Sequence, residues 1–263
     1  MIKVLVNGAC GRMGQAVLAA VLDDEELELV GAVDVRGGTD VGELLGRGAN
    51  GIIVESDLAA ALDGKRPEVM VDFTCPDVVF DNVMTALKHK VSPVVGTTGL
   101  SEDAKAQIRK ESETQGVPAF IAPNFAIGAV LMMLMARQAA KYMPEVEIIE
   151  LHHDKKLDAP SGTAVQTAAM IAEVRKAHRQ GHPEESEKLT GSRGADYEGM
   201  HIHSVRLPGY VAHQEVIFGG LGQTLTIRHD SMNRESFMPG VVLACKRVTG
   251  LKGLTVGLDQ LLD

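Results

Sequence analysis

The chain has 263 residues, 45% of them hydrophobic, with a formal net charge of -9 and a pI near 5.5. That length supports a substantial core split between two domains, and the acidic balance argues against nonspecific nucleic-acid binding, leaving anionic ligands to a local basic pocket. No apolar stretch reaches about 18 residues without a charge, so no membrane span is expected; three scattered cysteines with no C-x-x-C pair and no signal peptide predict a reduced, cytoplasmic protein.

The chain opens with a short apolar strand, Ile2 to Val6, running into Asn7-Gly8-Ala9-Cys10-Gly11-Arg12-Met13-Gly14, and an Ala/Leu/Val helix is predicted from Gln15 to Leu22. Strand, glycine-rich turn and helix make a dinucleotide-binding βαβ unit, in which glycines let the backbone approach a pyrophosphate on a helix N-terminus. Read as G-x-G-x-x-G, the first position falls on Ala9, with Gly8 one place earlier, so the motif takes its weight from context. Leu27 to Val33 reads as a second strand ending at Asp34, twenty residues past Gly14, where a carboxylate can accept hydrogen bonds from the adenine-side ribose. A plain tight turn is the alternative reading.

Val69 to Phe73, Pro93 to Val95 and Ala119 to Ile121 read as further buried parallel strands, separated by helical stretches over 78–90 and 104–115. Gly96-Thr97-Thr98-Gly99 and Ala122-Pro123-Asn124-Phe125 then emerge at the carboxyl edge of one sheet, where doubly wound folds bind ligands. Each is an ordinary turn when taken alone.

Beyond Phe125 the pattern changes. A helix over 127–142 includes the Met-rich Ala129 to Met135, which reads as buried core, and Glu145 to Leu151 is a β-favouring run. It leads into Glu150-Leu151-His152-His153-Asp154-Lys155-Lys156-Leu157-Asp158-Ala159-Pro160-Ser161-Gly162-Thr163, where two histidines, Lys156 and a candidate anion-binding turn precede an Ala-rich helix over 163–174. Ser161 is a natural N-cap, and exposed amides at Ser161, Gly162 and Thr163 would favour a carboxylate or phosphate, with Lys156 adding charge. A capped helix after a polar loop is the plainer reading, yet it requires neither the histidine pair nor Lys156.

After a polar stretch over 180–199, antiparallel-looking strands are predicted at 201–207, 213–218 and 224–229, with Gly219-Gly220-Leu221-Gly222 as a hairpin turn. These strands have few neighbours to cover them, which predicts a partner subunit. The end, 237–263, is again apolar and helix-like before Leu254-Thr255-Val256. No metal site is expected. His152 and His153 point to opposite faces of an extended strand, and His201 and His203 share a face but lack Cys or carboxylate neighbours at zinc spacing, so they read as a solvated strand face.

The motifs G-A-C-G-R-M-G at 8–14, V-D-F-T at 71–74, V-G-T-T-G at 95–99, A-P-N-F-A-I-G at 122–128 and E-L-H-H-D-K-K-L-D-A-P-S-G-T-A at 150–164 make the chain similar, over essentially its whole length, to the dihydrodipicolinate reductase (4-hydroxy-tetrahydrodipicolinate reductase) family of the diaminopimelate and lysine pathway. The resemblance implies an NAD(P)H-dependent reductase. Its expected fold is α/β, a Rossmann-like doubly wound parallel sheet plus a second α+β domain with a mixed or antiparallel open sheet. A discontinuous dinucleotide-binding domain (1–124 and 234–263) would flank a substrate-binding and oligomerisation domain (125–233), in a homotetramer. Carried over position by position, it implies His152 as general acid/base, Lys156 as its proton-donating partner, and His153, Gly162 and Thr163 as substrate binders, with the helix N-terminal amides, Ser161 included, taking one carboxylate. Gly8, Ala9, Cys10, Gly11, Arg12, Met13, Asp34, Gly96, Thr97, Thr98, Ala122, Pro123, Asn124 and Phe125 would hold the cofactor. Family members often place Arg directly after the ribose acid. Here Val35 intervenes and Arg36 follows, so the resemblance alone leaves NADH and NADPH both open. Two other classes share part of the pattern: another two-domain dehydrogenase of amino-acid metabolism, and a nucleotide-sensing regulator, the latter disfavoured by the lack of a DNA-binding helix pair or basic patch.

Overall fold

The N-terminal segments fold as alternating strand and helix, beginning with β1 (Ile2–Asn7), α1 (Arg12–Leu22) and β2 (Leu27–Val33). Three short elements follow, α2 (Val41–Leu44), β3 (Val54–Glu55) and α3 (Leu58–Lys65), before β4 (Val69–Asp72), α4 (Val79–Lys88), β5 (Ser92–Val95), α5 (Glu102–Gln115) and β6 (Ala119–Ile121). The chain then passes through α6 (Ile127–Ala140), β7 (Glu145–His152), α7 (Gly162–Ala172), β8 (Ala195–Tyr197), β9 (Met200–Arg206), β10 (Ala212–Gly220) and β11 (Gln223–Ser231), and ends with α8 (Met238–Arg247) and β12 (Leu254–Val256). This computed structural model describes residues 1–262. Asp263, the end of the expected C-terminal segment, lies outside the described residues.

The chain divides into two units, Met1–Ile127 with Arg234–Asp263, and Gly128–Asn233. In the first, seven parallel strands lie in the order β12-β6-β5-β4-β1-β2-β3. Val4, Leu5, Val6, Met70, Val71, Val94, Val95 and Phe120 are all fully buried, as expected of parallel strands covered on both faces. The chain runs outward from β1 through β2 to β3, and in the other direction from β4 to β12, so strand order reverses between β1 and β4. Ligands of such sheets bind outside the carboxyl ends of the strands at that switch point.

Helix α1 starts three residues earlier than its apolar run predicts, at Arg12 rather than Gln15. Gly14 permits this, because a Cβ there would overlap the carbonyl of Gly8. Gly8 itself has φ +85° and lies against the Phe73 carbonyl, where only glycine fits.

In the second unit five strands lie in the order β11-β10-β7-β9-β8. The sheet is mixed, which corrects the expectation for the strand at 201–207: β9 pairs parallel with β7 and antiparallel only with β8. The physical reason is the connection. A parallel pair needs a long crossover, and α7 with the polar segment after it supplies one. One face of the sheet buries Val146, Ile148, Glu150, Ile202, Val216 and Phe218, with α7 packed on β7. The opposite face carries Glu147, Ile149, His203 and Ile217, all partly exposed. His203 is not merely solvated there: its Nε2 lies 2.7 Å from Glu147 Oε2. Burial pushes the Glu147 carboxyl up, but hydrogen bonds from Arg193 and His203 outweigh it and hold it below the usual range.

Candidate active site: a nucleotide crevice and a histidine-carboxylate centre

The turn after β1 is built by backbone bonds. Gly8 N and Ala9 N donate to Val33 O at 2.9 and 3.0 Å, and Gly11 N donates to Gly8 O at 3.0 Å. Cys10 N donates to Asp34 Oδ2 at 2.9 Å, so the carboxylate at the end of β2 holds the turn as well as facing the crevice. Gly11 occupies the N-cap position of α1 with no side-chain cap, leaving the first-turn amides of an 11-residue helix to a ligand or solvent. Asp34 Oδ1 accepts from Arg36 N at 3.0 Å and lies 3.4 Å from Arg36 Nε, while the Arg36 side chain is 68% exposed.

Gly8, Gly11, Asp34 and Arg36 line a cavity of about 410 Å³. That is within the range of small-molecule and cofactor sites. The residues of this crevice fit a nicotinamide dinucleotide: a glycine cradle that a Cβ would fill, an uncapped helix N-terminus for pyrophosphate, and a carboxylate at the ribose position. Ser56, Leu58, Thr74, Val78 and Asn82 are also among its lining residues. Sequence reasoning missed them; Ser56 follows two-residue β3, too short to show a period, and Leu58 is the first residue of α3.

Gly96, Thr97 and Thr98 follow β5, and Ala122, Pro123, Asn124 and Phe125 follow β6, both at the expected carboxyl edge, though neither loop lines this cavity. Ala9, Ala122 and Phe125 are buried, Phe125 against the rings of Phe73 and Phe120 at 5.8 and 6.0 Å, so their side chains belong to the core and only their backbone can meet a ligand. Arg12 is exposed and Met13 half-buried. One buried group ties the ends of β1, β4 and β5 together. Asp72 accepts from Asn7 Nδ2, Asn82 Nδ2, Thr74 Oγ1 and Thr97 Oγ1 at 2.9, 3.0, 2.8 and 2.7 Å.

The second centre lies on β7 of the other unit. Glu150 and His152, two apart on a strand, share a face, and His152 Nδ1 is hydrogen-bonded to Glu150 Oε2. The Glu150 side chain is completely buried. Arg206, opposite His152 in the parallel register of β9, grips both its oxygens, Nη1 to Oε2 at 2.8 Å and Nη2 to Oε1 at 2.7 Å. Ser161 N donates to Oε1 at 3.2 Å. Burial drives the Glu150 carboxyl up, yet hydrogen bonds from His152, Arg206 and Ser204 reverse this and lower it to about 2. A carboxylate so ionised only accepts, so Nδ1 carries the hydrogen and Nε2 is left for proton transfer.

Ser161 caps α7 as expected, its Oγ accepting from Ala164 N at 3.2 Å. Its amide is not exposed, which corrects the sequence reading: Ser161 is buried and its N–H belongs to Glu150. Gly162 is exposed and opens the helix with the half-buried Thr163. His153 is exposed, in the loop just past β7. Lys156 Nζ donates to Asp158 Oδ1 at 2.7 Å, a pairing the sequence reading did not foresee. Glu150 and Arg206 were missed as well. The i, i+2 spacing of Glu150 and His152 was a usable signal; Arg206 had none.

Among the described residues no group of three or more His, Cys, Asp or Glu is placed to hold a metal, and no helix is long and apolar enough to cross a membrane. A glycine-turn crevice at the switch point of a parallel sheet, carried in one chain with a carboxylate-backed imidazole, places the protein among the nicotinamide-dependent oxidoreductases of two-unit architecture. Comparison narrows this. Residues 2–125 match the model of the dihydrodipicolinate reductase N-terminus and residues 128–262 that of its C-terminus, and the chain belongs to the dihydrodipicolinate reductase family. It is 56% identical to the 4-hydroxy-tetrahydrodipicolinate reductase of Desulfitobacterium hafniense (strain Y51) over 100% of this chain and 99% of that one. It is 54% identical to the enzyme of the same name from Halalkalibacterium halodurans, covering 100% of both. A solved structure, the dipicolinate-bound dihydrodipicolinate reductase from Paenisporosarcina sp. TG-14, superposes with a TM-score of 0.90 at 48% identity over the full length of both chains. The amine dehydrogenase of Mycobacterium smegmatis shares the fold alone, with a TM-score of 0.68 at 16% identity over 98% of this chain and 95% of that one.

Proposed function

We propose that the chain catalyses reduction of 4-hydroxy-tetrahydrodipicolinate to tetrahydrodipicolinate, with loss of water, using NADH or NADPH, in the cytoplasmic diaminopimelate route to lysine. The observation that carries this reading is the carboxylate-backed His152, tied through Glu150 to the N-terminus of α7, in a family with a member solved with a cyclic dicarboxylate bound. Gly8 to Met13, Asp34 and Arg36, with the loops 96–98 and 122–125, hold the dinucleotide; when bound, its nicotinamide supplies the hydride.

Loss of the substrate hydroxyl as water leaves a conjugated C=C-C=N system, reduced at its far carbon. Electron density then moves toward the ring nitrogen, and the Lys156 ammonium stabilises it there, exchanging its Asp158 contact for the substrate. His152 delivers the proton to the adjacent carbon from Nε2, while Nδ1 stays on Glu150. His153, Gly162 and Thr163 take a substrate carboxylate at the helix N-terminus, and Ser161 shapes that turn as its cap. Binding is thus local, as the overall acidic charge requires.

For the cofactor, Asp34 accepts the ribose 2'-hydroxyl of NADH, and the exposed Arg36 guanidinium beside it offsets the repulsion of the NADPH 2'-phosphate. The half-exposed face of the second sheet supports a homotetramer built through that unit.

The test is an assay with freshly generated cyclic substrate and each cofactor. Cofactor oxidation that depends on that substrate is expected. Oxidation with another amino-acid intermediate only, or with none, overturns the reading.

A further inference from the structure

We propose that Glu150 and Arg206 are positioning residues for proton transfer by His152: a buried carboxylate, clamped by a guanidinium across the sheet, fixes the imidazole in one tautomer and one orientation. This rests on the reading of His152 as proton donor. It extends that reading to two residues that meet no reacting atom.

Five hydrogens converge on Glu150, from His152 Nδ1, both terminal nitrogens of Arg206, Ser161 N and the Ser204 hydroxyl. The Arg206 nitrogens and Ser161 N can only donate; the Ser204 hydroxyl can turn to accept, and the imidazole changes role with its tautomer. The Glu150 side chain is 0% exposed, and those of His152 and Arg206 are 14% and 18% exposed, so the carboxylate itself is met by protein donors and not by bulk water. When the imidazolium gives its Nε2 proton to the substrate carbon, the Nδ1 proton stays where it is. The neutral ring is then already the tautomer that Glu150 holds, and no ring flip is required.

Arg206 keeps the carboxylate ionised. Without the guanidinium, burial favours the protonated carboxyl, whose O–H would donate to Nδ1 and turn the ring to the opposite tautomer. Its planar fork also stops rotation of the carboxylate, which a point charge would not do.

In E150Q the amide nitrogen faces donors whichever way it turns: Arg206 Nη2 and Ser161 N on one side, Arg206 Nη1 and His152 Nδ1 on the other. Stability and turnover should both fall. In the double variant E150Q/R206M the guanidinium is gone, so the new amide can accept from Ser161 N through its oxygen and point its hydrogens at Nδ1. The fold recovers, and the wrong tautomer is selected.

The experiment measures Tm, kcat and KM for wild type, H152A, E150Q, E150Q/R206M and R206K. The expected result is a double variant with Tm within about 3 °C of wild type, KM within about threefold, and kcat reduced by about 100-fold or more. R206K, retaining the charge without the fork, should fold and lose about tenfold in kcat. Recovery of kcat together with Tm in the double variant, or unchanged kcat in R206K, overturns the inference and makes the pair a structural clamp only. H152A separates the two claims. If it turns over at the wild-type rate, the proton-donor reading itself fails; if it is crippled while the double variant is fast, only the positioning role falls.

Discussion

Asn7, the last residue of β1, donates a 2.9 Å hydrogen bond to the fully buried Asp72 at the end of β4, joining the two strands between which the order of the parallel sheet reverses. Asp72 also receives Thr97 from the loop after β5 and Asn82 from α4, so one carboxylate ties together the ends of β1, β4 and β5 and helix α4.

Asp72→Ala should therefore remove the shared acceptor of these side chains and leave the buried Asn7 amide without a partner, at a cost on the order of 3 kcal/mol, with a fall in Tm of roughly 6 to 12 °C and weaker cofactor binding. Thermal melts with and without cofactor check this. An unchanged melt would mean that the loops are held independently of Asp72.

His152→Ala and Lys156→Ala should each lower kcat by roughly 100-fold or more while cofactor affinity barely changes, because both act on the changing charge of the substrate. Thr163→Val should instead raise KM most, since it removes a carboxylate contact present before and during the reaction. Steady-state kinetics with a separate cofactor titration distinguish these patterns. Near wild-type turnover in either alanine variant removes that residue from the mechanism.

Both cofactors should work, with NADH favoured by about tenfold or less, a gap of roughly 1.4 kcal/mol. Asp34→Ala should weaken NADH use and relatively favour NADPH. It also removes the acceptor of Cys10 N, so some loss with both cofactors accompanies the switch. Arg36→Ala should hurt NADPH alone. Specificity constants for both cofactors in the three proteins decide, and a wild-type preference for NADPH would show that the 2'-position is read elsewhere.

The acid limb of stability should carry the signature of Glu150. Its folded pKa, about 2, lies below the usual 4.5. A depressed carboxyl contributes stability that is present above the unfolded value and lost as pH falls toward the folded one, here between about pH 4.5 and 2. The contribution is on the order of 3 kcal/mol. Urea unfolding of wild type and E150Q/R206M at pH 6 and pH 3 should show a larger loss in wild type; equal losses would contradict the assignment.

Assembly should follow the half-exposed sheet face. Sedimentation is expected to give a tetramer at micromolar concentration, and Ile217→Arg, placing a charge on that face, should yield smaller species. A stable wild-type monomer would rule out this use of the sheet.

Local chemistry made much of the molecule legible in the residues alone. Apolar runs marked β1 and β2, the alternation of such runs with helical stretches marked α4 and α5, apolar helical spacing marked α7, and Ser161 was recognisable as a cap because its own hydroxyl and the next turn suffice to make one. The glycine turn at 8–14 and the carboxylate that follows β2 could be read because sequence neighbours and one following strand define them. Elements of about one period, α2 and β3, left no such mark. Only the tertiary structure decided the rest: that β9 runs parallel to β7, that Lys156 pairs with Asp158, and that the Ser161 amide is spent on Glu150. Above all it decided that Arg206 meets Glu150, 56 residues away. The reason is that a carboxylate's partners depend on strand register and burial, and register depends on how long segments pair in space, which no window along the chain contains.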